Sequence, residues 1–268
     1  MAPPDSRDIQ RWYPQKWSQV AGNSEMIQAW WNFIEFGGCN MLCTGSNRTG
    51  KTRTISLGVK SVMCSQRQGM DPCGICGSCR SFGEGRNSHL GLFAAIVDSR
   101  YSFVPIDCET VTAEQLKRLN LDVDLESRRT IIYLDEVAAL GRRELENILL
   151  KPIDESPCIW IASAITVKKK NRRGVVRKTE GLSLPMLGRF AVKVGTSLPR
   201  SEELRNWIVE RSQEWQIDIF DPETTIPRMI ARTAHRVGYI VHMLSVAASR
   251  GRRIDPDMVE GFNLGPVD

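Results

Sequence analysis

Residues 45–52 read Gly45-Ser46-Asn47-Arg48-Thr49-Gly50-Lys51-Thr52, with glycine at the first and sixth places and Lys-Thr at the end. That spacing suits a phosphate. The glycines let the backbone wrap an anion closely, and successive amide N–H groups then point inward at the mouth of a helix. Lys51 has the reach for β and γ phosphates, and the Thr52 hydroxyl can ligate Mg²⁺. The acidic half of such a site belongs at the end of another buried strand, and Ile131-Ile132-Tyr133-Leu134-Asp135-Glu136 supplies it. Asp135 is expected to hold Mg²⁺, directly or through water, and Glu136 to take a proton from an attacking water. Phosphoryl transfer needs positioning and charge neutralisation more than covalent chemistry, and this set offers both. The combination implies ATP hydrolysis.

A second constellation is Cys64, Cys73, Cys76 and Cys79, spaced C-x8-C-x2-C-x2-C. Four thiolates satisfy tetrahedral Zn²⁺ and leave no open position, so such a zinc is structural and not catalytic. Pro72, Gly74 and Gly77 ease the tight turn that three ligands need. Iron–sulfur ligation also tolerates C-x2-C-x2-C, but the typical fourth cysteine and its proline are missing. Cys39, Cys43, Cys108 and Cys158 fall in or near apolar strands and read as small buried hydrophobes.

The elements that must position these groups follow from periodicity. Met26, Ile27, Trp30, Trp31 and Ile34 recur at helical spacing and predict a helix over 23–36, ended by Gly37 and Gly38. Residues 39–44 read as a buried strand and 51–63 as a helix. Strand, phosphate loop and helix in that order open a doubly wound α/β unit. Further strands are expected at 104–107, 130–134, 158–162 and 191–194, with helices over 113–119 and 142–150. The TIIYL run at 130–134 has the near-continuous apolar character of a central parallel strand. From residue 201 the character turns helical, with helices expected around Leu204 to Ile208, over 226–235 and over 240–248. The expected organisation is a flexible tail over 1–10, a nucleotide-binding domain over 11–197 carrying a zinc module over 64–79, a helical lid over 198–260 and a tail over 261–268.

The 268 residues are 41% hydrophobic and 25% charged, which excludes disordered, collagenous and membrane classes. No apolar stretch is long enough to span a membrane, and the N-terminus lacks a signal-peptide core, so a reducing, cytoplasmic setting is expected. A formal net charge of +5 permits a nucleic-acid partner without requiring one. One run is more pointed. Lys168, Lys169, Lys170, Arg172, Arg173, Arg177 and Lys178 crowd together with no acid among them, and Gly174 could turn a hairpin. Several phosphates neutralised together would give salt-dependent DNA or RNA contact without sequence reading. A solvated charged loop is the alternative.

A phosphate loop, a cysteine module directly after its helix, and Asp-Glu closing a central strand together resemble the AAA+ clamp-loader ATPases of the bacterial DNA polymerase III gamma/tau type. Residues Tyr13 to Asn23 are similar to that family's adenine-pocket signature, with Tyr13 in place of arginine and Asn23 in place of glutamine. The resemblance implies that Val20, Ala21 and Gly22 line the base. Residues 145–157 are similar to its NALLKTLEEP stretch. Ile161-Ala162-Ser163-Ala164 is similar to its LATT strand end, which implies a sensor role for Ser163. Pro185 to Phe190 stands in the place of its SRC motif, which implies that Arg189 is an arginine finger acting in trans on ATP held by a neighbouring subunit. Arginine's fixed fork of donors suits a transferring phosphoryl group; a surface salt bridge is the plainer alternative.

The resemblance implies an AAA+ fold, a homo- or hetero-oligomer, DNA as partner, and a sliding clamp or other replication protein as a further one. It covers residues 11–259 and departs in three places. Val241 stands where the lid has its sensor arginine, followed by His242. The finger motif reads LGRF, and the chain ends where a collar domain would begin. A nucleotide-gated subunit without turnover, or a helper ATPase of a phage or mobile-element replication system, are the competing readings.

Overall fold

A computed structural model describes residues 12–84, 88–90, 93–97, 101–119, 130–170, 176–179 and 181–264. The chain enters through a short 3-10 turn at Trp17–Gln19 and then forms α1 (Ser24–Phe36), β1 (Met41–Gly45) and α2 (Lys51–Met63). Next come α3 (Gly77–Glu84), β2 (Ser88–Leu90), β3 (Phe93–Val97), β4 (Ser102–Asp107), α4 (Ala113–Lys117) and β5 (Thr130–Asp135). After them follow α5 (Ala138–Arg142), α6 (Glu146–Glu155), β6 (Ile159–Ile165), β7 (Val167–Lys170), β8 (Val176–Thr179), α7 (Leu184–Gly188) and β9 (Val192–Gly195). The remaining elements are α8 (Ser201–Glu214), β10 (Asp218–Ile219), α9 (Pro222–Arg232), α10 (Val237–Ser249), β11 (Arg253–Ile254) and α11 (Pro256–Glu260).

The main sheet has the order β2-β3-β4-β5-β6-β1-β9. From β4 to β9 every neighbouring pair is parallel, while β2 and β3 extend one edge antiparallel. Alternation along the strands divides the core in two, because successive side chains point to opposite faces. Ile132 and Leu134 join Leu42, Trp160 and Ala162 on one face; Ile131 and Tyr133 join Met41, Cys43 and Ile161 on the other. On that second face α2 lies against α1. Gly58 is the point of contact, since a Cβ there would stand 2.2 Å from Trp30 Cδ2, a distance no packing tolerates. A glycine in mid-helix costs roughly 1 kcal/mol of propensity, and here it lets two helices close over a buried indole.

Several sequence expectations change. The helix expected over 142–150 begins only at Glu146, as α6, set off from α5 by Glu144 at a positive φ of 57°, and the helix expected over 226–235 is α9, Pro222–Arg232. The antiparallel strands β2 and β3 were not expected at all. The lid helices α8 to α11 surround their own core of Leu204, Ile208, Met229, Ile240 and Leu244. That core reaches past residue 260, with Phe262 and Leu264 packed against it, and takes in Trp12 and Ala21 from the entering segment. Residues 1–11 and 265–268 lie outside the described residues. Among the described residues, no helix is long and apolar enough to cross a membrane.

Candidate functional site

Parallel register brings the chemistry to one edge. The ladder pairs Cys43 with Ser163 and Gly45 with Ile165, and Leu134 with Ala162, so the C-terminal ends of β1, β5 and β6 finish side by side. Open α/β sheets hold their ligands at that carboxyl edge. The 45–52 loop leaves β1 there and enters α2, whose N-cap is Gly50 at φ 92°. A Cβ on Gly45 would fall 1.7 Å from Thr196 Oγ1, so only glycine fits where β1 passes β9.

Lys51 is 5% exposed, and its Nζ donates to the carbonyls of Gly45 (3.0 Å) and Ser46 (2.9 Å). Burial lowers its pKa, opposed by the nearby Glu136 and Asp135 carboxylates. Three hydroxyls converge on one oxygen of Asp135. Tyr133 donates to Oδ1 at 2.6 Å, Ser163 at 2.7 Å and Thr52 at 3.4 Å. That leaves Oδ2 for a cation beside Thr52, so the donor set fits Mg²⁺, a hard ion that takes oxygen ligands.

Glu136 stands at φ 52°, with its backbone N–H donating to Ser163 Oγ at 3.0 Å. Burial raises its carboxyl pKa, Lys51 opposes that shift, and Asp135 adds to it. A carboxyl with raised pKa is better matched to taking a proton near neutrality. Ser163 is fully buried and binds both acidic residues, through one side chain and one backbone.

A cavity of about 770 Å³ opens beside this edge, between the loop and the lid. Its walls include Val20, Ala21, residues 47–52, Asp135 and Glu136, faced by Trp207, Val241 and His242 from the lid. Gly22 is not on the wall. It sits behind, at φ 66°, its N–H donating to Glu203 Oε1 at 2.7 Å. His242 lines the cavity from the exposed side of the lid, with its ring edge-on to Phe262.

Arg189 is elsewhere. Its guanidinium donates to Leu150 O (3.0 Å), Pro185 O (2.5 Å) and Asp154 Oδ2 (2.5 Å), and it is not on the cavity wall. The arrangement is the salt bridge that was the plainer sequence alternative, made within the chain's own α6–α7 corner.

The four cysteine sulfurs lie within 4.8 Å of one another. Backbone N–H groups of Cys73 and Gln66 donate to Cys64 Sγ (3.2 and 3.4 Å), and that of Cys76 to Cys73 Sγ (3.3 Å). Burial acts upward on the Cys76 thiol, and the backbone N–H groups of Cys79 and Ser65 outweigh it, holding it down to about 5. Clustered sulfurs with donors aimed at them fit thiolates around one tetrahedral ion. The module is anchored at both sides: Cys64 directly follows α2, and Asp71 Oδ1 accepts the Trp17 N–H at 2.8 Å.

The basic run forms the separate antiparallel hairpin β7–β8. Lys168, Lys169 and Lys170 are on its first strand and Arg177 and Lys178 on its second. Arg172 and Arg173 lie outside the described residues.

Two working residues were not singled out from sequence. Tyr133 was legible in principle, because period two puts it on the face of Asp135. Asn23, noticed only as a departure, is 2% exposed and bridges the loop to the lid linker: Nδ2 donates to Thr49 O at 2.9 Å and Oδ1 accepts from Ser197 N at 3.2 Å.

No protein-family model matches the chain. It is 29% identical to the DNA polymerase III subunit tau of Escherichia coli over 153 residues, 55% of this chain and 22% of that one. It is 28% identical to the DNA polymerase III subunit gamma of Buchnera aphidicola subsp. Acyrthosiphon pisum, again over 153 residues, covering 38% of that protein. The chain thus spans well under half the length of these curated relatives. Among solved structures it is similar to the RuvB Holliday junction branch migration motor of Thermotoga maritima, with a TM-score of 0.56 and 14% identity over 93% of this chain and 71% of that one. That likeness shows the fold: a RuvB-like AAA+ arrangement around a five-strand parallel sheet. The site thus lies at the carboxyl edge of a RuvB-like fold, in a chain that over about half its length is similar to the tau and gamma subunits.

Proposed function

We propose that the chain is an ATP-hydrolysing subunit that uses Mg²⁺ and acts on DNA-bound protein assemblies in replication. The observation that carries this reading is the meeting of Lys51, Thr52, Asp135, Glu136 and Ser163 at one sheet edge, under a cavity of about 770 Å³. The roles divide by chemistry. The 45–52 loop presents backbone N–H groups and the Lys51 ammonium to the phosphates. Val20 and Ala21 meet the base. Thr52 and Asp135 would hold Mg²⁺, which would supply neutralisation of phosphate charge. Glu136 takes the proton of the attacking water, and Ser163 fixes both acidic residues so that neither drifts. Cys64, Cys73, Cys76 and Cys79 would hold Zn²⁺, which would brace the module beside α2 structurally.

As with clamp-loader relatives, the subunit works in an oligomer, in the cytoplasm, with a sliding clamp or another replication protein as its client. If Arg189 is an arginine finger, assembly must first draw it off Leu150, Pro185 and Asp154. That tether, with Val241 on the cavity wall in place of a lid arginine, favours a second reading: a nucleotide-gated subunit with negligible turnover.

Steady-state ATP hydrolysis with and without primed or single-stranded DNA separates the two, with Lys51→Ala as control. Low basal turnover that DNA raises severalfold and Lys51→Ala abolishes supports the motor. Tight ATP binding with no turnover under any condition leaves the gated subunit.

A further inference from the structure

The β7–β8 hairpin stands apart from the seven-stranded sheet, yet its root is built into the site. Ile165, the last residue of β6, pairs with Gly45 in the ladder, and its backbone N–H lies near enough to the Glu136 carboxyl to oppose the rise of its pKa. Thr166 follows, and its N–H donates to Gly45 O at 3.1 Å. That same carbonyl accepts the Lys51 Nζ. Val167 then opens the hairpin. Two consecutive residues at the base of the arm therefore lie against Glu136 and bond the first residue of the phosphate loop.

The arm carries charges of one sign at facing ladder positions. Its register sets Lys168 opposite Lys178 and Lys169 opposite Arg177. Like charges at directly opposed ladder positions destabilise a hairpin. A polyanion removes that repulsion, and binding it tightens the strand pairing. The run from 168 to 178 contains no carboxylate with which to answer a protein partner's cations. A uniform line of phosphates needs none, so a nucleic-acid backbone fits better than an acidic protein.

We propose that the β7–β8 hairpin binds a nucleic-acid phosphate backbone and, through Ile165 and Thr166 at its root, couples that binding to the placement of Glu136 and the phosphate loop. This rests on the ATPase reading above. Bound nucleic acid orders the hairpin and fixes the direction in which it leaves β6. Any shift of Ile165 and Thr166 is felt at the Glu136 carboxyl and at Gly45 O. Coupling of this kind is reciprocal, so nucleotide must alter the affinity for the backbone by the factor with which the backbone alters affinity for nucleotide.

The test uses the full chain, a fluorescein-labelled single-stranded DNA oligonucleotide, and two variants. One is K168Q/K169Q/R177Q/K178Q; the other inserts two glycines between Thr166 and Val167, keeping every charge but loosening the root. Four phosphate contacts give a log–log salt slope of about −2.8, or a roughly 50-fold loss of affinity between about 50 and 200 mM salt. The wild type is expected to show at least that slope, and the four-glutamine variant to lose about 2.8 of it. The glycine insertion should bind the oligonucleotide as wild type does, yet lose DNA stimulation of hydrolysis and the effect of ATP on oligonucleotide affinity.

An unchanged salt slope in the four-glutamine variant overturns the binding site. Full stimulation and full reciprocal effect in the insertion variant overturn the coupling. Polyglutamate competing as well as the oligonucleotide moves the partner to an acidic protein and overturns the nucleic-acid assignment. If the wild type proves unable to hydrolyse ATP, the ATPase reading fails separately, while the salt slope and the effect of nucleotide on oligonucleotide affinity still decide the hairpin.

Discussion

Asn23 holds a left-handed backbone conformation, φ 59°, and its side-chain amide ties Thr49 O to the Ser197 N–H across the junction of loop and lid linker. Its own N–H also donates to Ser197 O at 3.1 Å, a bond that any residue at this position keeps. Asn23→Ala strips both side-chain bonds and takes the partner from the buried Thr49 carbonyl and the half-buried Ser197 N–H. Each such group costs about 1–3 kcal/mol, and a non-glycine residue without a local hydrogen bond pays roughly 1–2 kcal/mol more for the left-handed conformation. The sum is roughly 3–8 kcal/mol. At roughly 2–4 °C per kcal/mol for a chain of this size, the Tm should fall by at least about 6 °C.

Asn23→Gly loses the same bonds but relaxes the backbone, so it should recover about 1 kcal/mol of that loss. Thermal melts followed by circular dichroism, with urea titrations on both variants, measure the two terms. Nucleotide affinity should drop alongside, because the tie to Thr49 is a tie to the phosphate loop. A Tm change of less than about 3 °C for Asn23→Ala would refute the bridging role. Equal values for alanine and glycine would refute the backbone contribution.

Other outcomes follow from the same geometry. The Glu136 carboxyl titrates above its ordinary value and must be ionised to accept a proton, so hydrolysis should fall, as pH drops, earlier than an ordinary glutamate would allow; a pH–rate profile reads this. The same raised pKa favours the protonated form in the fold, a contribution present in acid and lost as pH rises through it. Glu136→Gln should therefore abolish turnover, leave nucleotide binding intact, and raise the Tm at neutral pH but not in acid. Chelation or Cys64→Ser should release one zinc per chain, measured by metal analysis, and lower the Tm, because the module is fastened to α2 and to Trp17. Arg189→Ala should destabilise the isolated subunit by about 1–3 kcal/mol in urea titrations through loss of the Asp154 bridge and two carbonyl bonds. If Arg189 also acts in trans, mixing the variant with wild type should depress wild-type turnover.

The parts of the site legible in the sequence are those whose chemistry is local. The 45–52 loop and the Asp135–Glu136 pair are short runs whose residue types leave little choice, and the helix over 51–63 and the strand from 130 matched their expected limits to within a residue. Strand order was not legible, because the crossover that puts β1 between β6 and β9 is decided by packing on both faces. The split of α5 from α6 turns on the left-handed Glu144, a residue type with no such preference. Arg189 shows the limit of motif reading: a matching position says where an arginine stands, while its partners depend on the fold around Asp154 and Leu150.

Trp12 packs edge-on against Trp215 with ring centroids 4.5 Å apart, and Trp207 donates its indole N–H to Gln19 O at 2.7 Å. The lid's core is thus closed by residues that stand far apart along the chain. On the ribosome the entering segment must stay unburied until some two hundred residues have followed it. Contacts of such sequence separation form slowly, since a long loop must close before they reward the chain. The lid should accordingly mature after the sheet it sits beside, and a fragment cut after β9 would leave Trp12 and Ala21 without their hydrophobic shelter and prone to aggregate.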